Sequence, residues 1–137
     1  MDNRVVITGM GVVSPNGIGL DQFLSAIQNG TSGIKYQQLL SDLKFSCQIA
    51  GLPDVPAELA AQYFSPLELR NFNSTGILYG VIAGMDAWKD AGLPLNDTDE
   101  PFWNYGMVFG AGTSGIDRFR EAIYTIDKLD IRRLGST

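Results

Sequence analysis

The chain has 137 residues, 45% hydrophobic and 18% charged. That suits one ordinary domain and is too apolar for disorder. Ten Lys and Arg stand against fifteen Asp and Glu, and the net charge of -5 disfavours nucleic acid or an anionic membrane as a partner. There is no histidine and one cysteine, Cys47. An internal disulfide, a Ser-His or Cys-His dyad and histidine-based metal sites are therefore excluded within the chain.

Residues 4–13 (RVVITGMGVV) are β-branched and apolar on both alternating faces. This predicts a strand covered on both sides, as in a parallel sheet packed between helices. No small-residue cleavage site follows this run, so a signal peptide is not expected. Pro15, Asn16, Gly17 and Gly19 predict a turn, and residues 20–28 (LDQFLSAIQ) a helix with Phe23, Leu24 and Ile27 on one face. Strand, loop and helix in this order open an α/β fold.

Residues 33–56 are less regular, with a short strand expected within 45–52 (FSCQIAGL) and a short helix within 54–64. Ser65-Pro66-Leu67-Glu68 is a helix start: Ser65 can accept from a free N–H, Pro66 suits the first helical position, and Glu68 can reach back to the cap. From Asn71 through Met85 no residue is charged, and Ile77, Leu78, Val81, Ile82, Met85 and Trp88 recur at helical spacing. Gly76, Gly80 and Gly84 form a second stripe and Ala83, Ala87 and Ala91 a third. A helix over residues 73–91 that is apolar or small nearly all round predicts burial on most sides, with the glycines permitting close backbone approach. The run is too short and too polar for the roughly 20 apolar residues of a membrane span, and a cytoplasmic protein is expected.

Residues 93–101 predict a loop and 103–111 a second central strand. Ser114 is placed as cap of a helix over 116–129 with Ile116, Phe119, Ile123 and Ile126 buried. The two or three strands expected cannot surround an all-apolar helix. The chain is therefore expected not to complete its own core, as a segment of a larger fold or an obligate assembly.

Gly110-Ala111-Gly112-Thr113-Ser114-Gly115 matches G-x-G-x-x-G between a predicted strand and a predicted helix. One reading is a dinucleotide-binding module, whose free N–H groups would hold a phosphate. The other is a tight turn that lets another chain or an acyl group approach closely. Gly9-Met10-Gly11 fails the same fingerprint at Ser14 and reads as a close-packed strand end. Cys47, with no glycine elbow and no histidine to activate it, reads as a small buried hydrophobe. Asp97, Asp99 and Glu100 match no calcium loop and read as a solvated turn. Trp88, Phe102 and Trp103 are expected in a core or an interface. No metal and no cofactor is expected.

Residues 4–34 (RVVITGMGVVSPNGIGLDQFLSAIQNGTSGI) strongly resemble the N-terminus of the β-ketoacyl-acyl carrier protein synthases of the ketoacyl synthase I and II type. DAWKDAGL at 86–93, YGMVFGAGTSGI at 105–116 and IRRLGST at 131–137 extend the resemblance along the chain. It implies a thiolase-like five-layer α-β-α-β-α fold, of which residues 1–137 form the N-terminal part of the first half. In that family a cysteine at a strand-to-helix elbow takes the acyl chain, and two histidines promote decarboxylation of the malonyl unit. None of these lies in this chain, so no catalytic residue is assigned and the chain alone is expected to be inactive.

The resemblance also places Gly112 and Thr113 at the acyl pocket, with Thr113 gating chain length. It assigns carrier docking to Arg70, the one basic residue of Pro66-Leu67-Glu68-Leu69-Arg70-Asn71, where the family carries several. The implied partners are acyl carrier protein and the remainder of the synthase or a partner subunit, in a homo- or heterodimer. The sparse basic charge leaves a second reading, a non-catalytic chain-length-factor-like subunit.

Overall fold

The computed structural model describes residues 4–72, 74–95, 98–113 and 115–130. The elements run β1 (Val13–Ser14), β2 (Gly17–Ile18), α1 (Leu20–Gln28), β3 (Ile34–Tyr36), α2 (Gln38–Asp42), β4 (Ile49–Gly51), α3 (Ala57–Tyr63), α4 (Pro66–Asn71), α5 (Thr75–Asp90) and α6 (Ile116–Asp127). Two compact units result. One holds the described residues up to Tyr63 together with Val81–Leu93; the other holds Phe64–Gly80 and the described residues from Pro94 onward. α5 contributes to both.

In the first unit, β1 and β2 form a hairpin around Pro15-Asn16, with Val13 opposite Ile18. The turn is drawn in by the Ser14 hydroxyl, which lies 2.9 Å from Asn16 Oδ1 and 2.8 Å from the Gly17 carbonyl. β3 and β4 pair antiparallel, Lys35 opposite Ala50. The sheets are thus two antiparallel ladders, and the parallel sheet expected from the sequence is not formed among the described residues. Residues 4–12 carry no ladder, with Val5 91% and Ile7 85% exposed. The strand expected over 103–111 is likewise not formed, and Met107 is 86% exposed. An apolar segment becomes a strand only when a neighbour supplies its hydrogen bonds.

The N-terminal segment nevertheless has a definite seat. A Cβ built on Gly9 would meet the Ala87 carbonyl and lie 2.5 Å from the Ala91 nitrogen. One on Gly11 would meet the Ala83 carbonyl and lie 2.7 Å from the Ala87 nitrogen. Backbone therefore lies on backbone, and the alanine stripe of α5 is the surface that admits it. The Met10 N–H donates to Asp90 Oδ2 at 2.9 Å and ties the same segment to the end of α5. Gly9-Met10-Gly11, expected as a close-packed strand end, is close-packed but forms no strand.

In the second unit, α4 starts on the reciprocal cap read from the sequence. The Glu68 N–H donates to Ser65 Oγ at 3.3 Å, and the Ser65 N–H donates to Glu68 Oε2 at 2.7 Å. Hydrogen bonding of the carboxylate by the Ser65 backbone N–H, and secondarily by the Ser65 side chain, lowers the pKa of Glu68. Phe64 and Phe72 bracket the helix edge to face, their ring centroids 4.8 Å apart. Ser114 lies outside the described residues; the cap of α6 is Gly115, in the left-handed conformation with φ 77°. Its carbonyl accepts from the Phe119 N–H at 2.9 Å.

The burial expected of α5 is met in part. Ile82 is fully buried, whereas Ile77 and Gly84 are exposed. Of the glycine stripe Gly80 is approached closely, by the Phe109 ring, while a Cβ on Gly76 would lie 3.7 Å from Ser74 Oγ and one on Gly84 would meet nothing within 4 Å. α6 differs more: its apolar stripe, expected to be buried, faces solvent. The chain exposes 11385 Å². A compact monomer of 14.9 kDa exposes about 7,000 Å², and two separate compact halves about 8,500 Å². Among the described residues the buried apolar side chains are Ala26, Ala60 and Ile82.

Candidate functional site

The glycine turn follows residues 105–110, which form neither helix nor strand. Gly112 and Thr113 lie in a bend, both exposed, and neither Gly110 nor Gly112 has an atom within 4 Å of where a Cβ would stand. The turn thus leaves open space beside its backbone. Arg70 lies in the last turn of α4 and is exposed. No hydrogen bond or ion pair among the described residues joins Arg70 to Gly112 or Thr113. Gly112 and Thr113 are neighbours in the chain, and Arg70 stands on a separate element.

A polar cluster in the first unit was not singled out from the sequence. The Tyr63 hydroxyl, at the end of α3, donates to Asp86 Oδ1 on α5 at 2.8 Å. Lys89, one turn on, sets its ammonium 4.6 Å from the centre of the Tyr63 ring. The two helices are thereby clamped beside a cleft of about 320 Å³ whose walls include Gln22, Asp54, Leu59, Tyr63 and Asp86. Burial, then the hydrogen bond and the charge of Asp86, push the phenol pKa up from 10.0 to about 12. Tyr63 is therefore a neutral donor at physiological pH rather than a base. The signal lay in Asp86, Lys89 and Asp90, the first charges after the uncharged run that fills most of α5.

Because the folded pKa of Tyr63 lies above its unfolded value, the stability it contributes is present below pH 10.0 and lost as pH rises to about 12. The Tyr63→Phe variant should lack this decline relative to the native chain. Phenolate absorbance and melting temperature, followed together against pH, provide the measurement. Identical alkaline profiles for the two proteins would contradict the clamp.

Cys47 is exposed, its Sγ 3.6 Å from the Ile49 carbonyl, so the expectation of a buried packing residue is corrected. It stands just before β4 on a hairpin with little apolar cover. An aromatic disulfide reagent should modify Cys47 fully in the native chain, at a rate close to that in denaturant. Protection of more than roughly 100-fold, which would require an opening free energy near 3 kcal/mol, would show the thiol to be covered. Trp103, expected in a core or an interface, is 87% exposed, whereas Phe102 packs against Tyr105 with centroids 5.3 Å apart. Asp97 lies outside the described residues, and among the described residues no group of three acidic or thiol side chains could hold a metal ion. Among them, too, no helix is long and apolar enough to cross a membrane.

The profile of the β-ketoacyl synthase N-terminal domain matches residues 2–131, and the chain belongs to that family. Among curated relatives it is 34% identical to 3-oxoacyl-[acyl-carrier-protein] synthase 2 of Vibrio cholerae, over 83% of this chain and 26% of the relative. It is 31% identical to the tetracenomycin polyketide synthase ketoacyl synthase beta subunit of Streptomyces glaucescens, over 82% of this chain and 26% of the relative. The chloroplastic 3-oxoacyl-[acyl-carrier-protein] synthase I of Arabidopsis thaliana is 27% identical over 96% of this chain and 27% of the relative. The chain thus spans about a quarter of the length of these relatives.

Proposed function

We propose that the chain is the N-terminal segment of a β-ketoacyl-acyl carrier protein synthase, an acyltransferase that condenses an acyl thioester with malonyl-carrier protein in fatty acid or polyketide synthesis. The observation that carries this reading is the family match over residues 2–131. In the complete protein the chain contributes to a five-layer α-β-α-β-α fold. The exposed apolar residues 5–7 and 107–108 are then strands whose neighbours lie elsewhere in the polypeptide. Their exposure and the close backbone seat of Gly9 and Gly11 on α5 support this. Gly112 and Thr113 line the acyl pocket, Arg70 contributes to carrier-protein docking, and the synthase acts as a cytoplasmic dimer.

The decarboxylation chemistry falls to residues outside this chain, which has no histidine. Its own part is to shape the pocket and position the carrier. Radiolabelled malonyl-carrier protein and an acyl thioester, offered to the 137-residue chain alone, should yield neither carbon dioxide nor an acyl adduct. The complete synthase should yield both. An acyl adduct on Cys47 would overturn the assignment of catalysis to other residues, and an inactive complete protein would overturn the condensing-enzyme reading.

A second reading is a non-catalytic subunit of the chain-length-factor type. It is favoured by the single basic residue of α4 and by the likeness to a polyketide synthase beta subunit. Activity that appears only when a second, cysteine-bearing synthase chain is added would select it.

A further inference from the structure

The glycine turn that carries Gly112 and Thr113 is anchored on α5 by an aromatic ring. A Cβ built on Gly80 would meet Cε2 and Cζ of Phe109, so the tip of that ring stands where a side chain at position 80 would stand. The other two glycines of α5 have no such occupant. A Cβ on Gly76 would lie 3.7 Å from Ser74 Oγ, and one on Gly84 would meet nothing within 4 Å. Gly80, Phe109, Gly112 and Thr113 all belong to the second unit.

Phe109 immediately precedes Gly110. The two apolar side chains before it, Met107 and Val108, are 86% and 103% exposed, against 51% for Phe109. Among the described residues no hydrogen bond holds residues 106–113. A turn without bonds of its own takes its place from its two ends. Downstream is Gly115, the left-handed start of α6. Upstream is the Phe109 ring on Gly80. A methyl group at position 80 would take the space of the ring tip, and a close-packed contact has no slack to absorb it. The ring must then leave its seat, and residue 109 loses its anchor.

We infer that Gly80 and Phe109 are positioning residues for the acyl pocket. The missing side chain at position 80 seats the ring, and the seated ring fixes where Gly112 and Thr113 stand. The inference rests on the pocket reading above for its substrate, while the seat is a feature of this chain. Its effect falls on long acyl thioesters, whose far end reaches the turn, and less on short ones.

Amide resonances of the 137-residue chain test the seat. Gly80→Ala and Phe109→Leu should each shift the signals of Gly110, Gly112 and Thr113. In the complete synthase, Gly80→Ala should lower kcat/KM for long acyl thioesters by roughly 10-fold, with a smaller loss for short ones, as for about one misplaced methylene. Phe109→Leu, which leaves α5 untouched, should produce a long-chain loss on its own. The double variant should recover long-chain turnover, because leucine is shorter and leaves room for the methyl group; a merely structural role would give additive losses. Unmoved amide signals overturn the seat, whatever the pocket holds, and additive losses overturn the route through the ring. Thr113 variants that change the product profile while Gly80→Ala does not overturn the positioning role and leave the pocket reading intact. Profiles indifferent to Thr113 overturn the pocket and this inference with it.

Discussion

Gly11→Val is expected to detach the N-terminal segment from α5 and to cost the chain most of its stability. The new Cβ would run into the Ala83 carbonyl and lie 2.7 Å from the Ala87 nitrogen, and both are backbone atoms of a hydrogen-bonded helix. They cannot turn aside as a side chain would. Overpacking a close-fitting site costs typically about 1–3 kcal/mol, and an obstacle of backbone puts this case at or above the top of that range. The first unit would lose with it the bond from Met10 to Asp90.

Two controls on the same helix give the prediction its sign. Gly80→Leu, which the glycine stripe marks as equally severe, sets its Cβ first against the Phe109 ring, a side chain that can rotate, so the loss should be smaller. Gly84→Ala meets nothing within 4 Å and removes a flexible residue from a helix interior; it should gain up to about 1 kcal/mol. Chemical denaturation of the three variants supplies the ranking. Gly11→Val as stable as the native chain would show that the segment does not seat on the alanine stripe.

Thr113 carries the second large expectation, which applies to the complete synthase and rests on the proposed pocket. Threonine is branched at Cβ and stiff about χ1, so it cannot swing clear of a passing acyl chain. Its hydroxyl also needs a polar partner before apolar carbon can lie against it. Thr113→Gly should lengthen the acyl chains accepted. Thr113→Phe should shorten them while leaving the first, short condensation intact. One methylene in an apolar pocket is worth about 1–3 kcal/mol, so preference should shift roughly 10-fold or more per gated carbon. Product profiles from both variants, compared with the parent, decide it. Unchanged profiles would remove Thr113 from the pocket and leave residues 110–115 as a turn. The exposure of Thr113 and the open space beside Gly112 leave room for either substitution within this chain.

Local signals by themselves determined much of this protein. The Ser65–Glu68 cap, the stop of α1 at Asn29-Gly30 and the length of α5 all depend on neighbours within a few residues, where side-chain and backbone chemistry act directly. The family, too, is legible in the residues around the two glycine motifs. Tertiary structure decided what depends on distant partners. Residues 4–12 and 103–111 have strand composition, yet a ladder needs hydrogen bonds from another strand, and none is formed there. The sequence marked the glycines of α5 as its contact surface; the structure brings the Phe109 ring onto Gly80, but the backbone approach falls on Ala83, Ala87 and Ala91, with the glycines there on the incoming segment. Periodicity shows that small residues share a helix face, but which face is met depends on where Gly9 and Gly11 arrive. The Tyr63–Asp86 clamp joins residues 23 apart, and Cys47 is exposed in the connection that leads into the three-residue strand β4. Both follow from packing between elements, which neither local propensity nor hydrophobic period encodes.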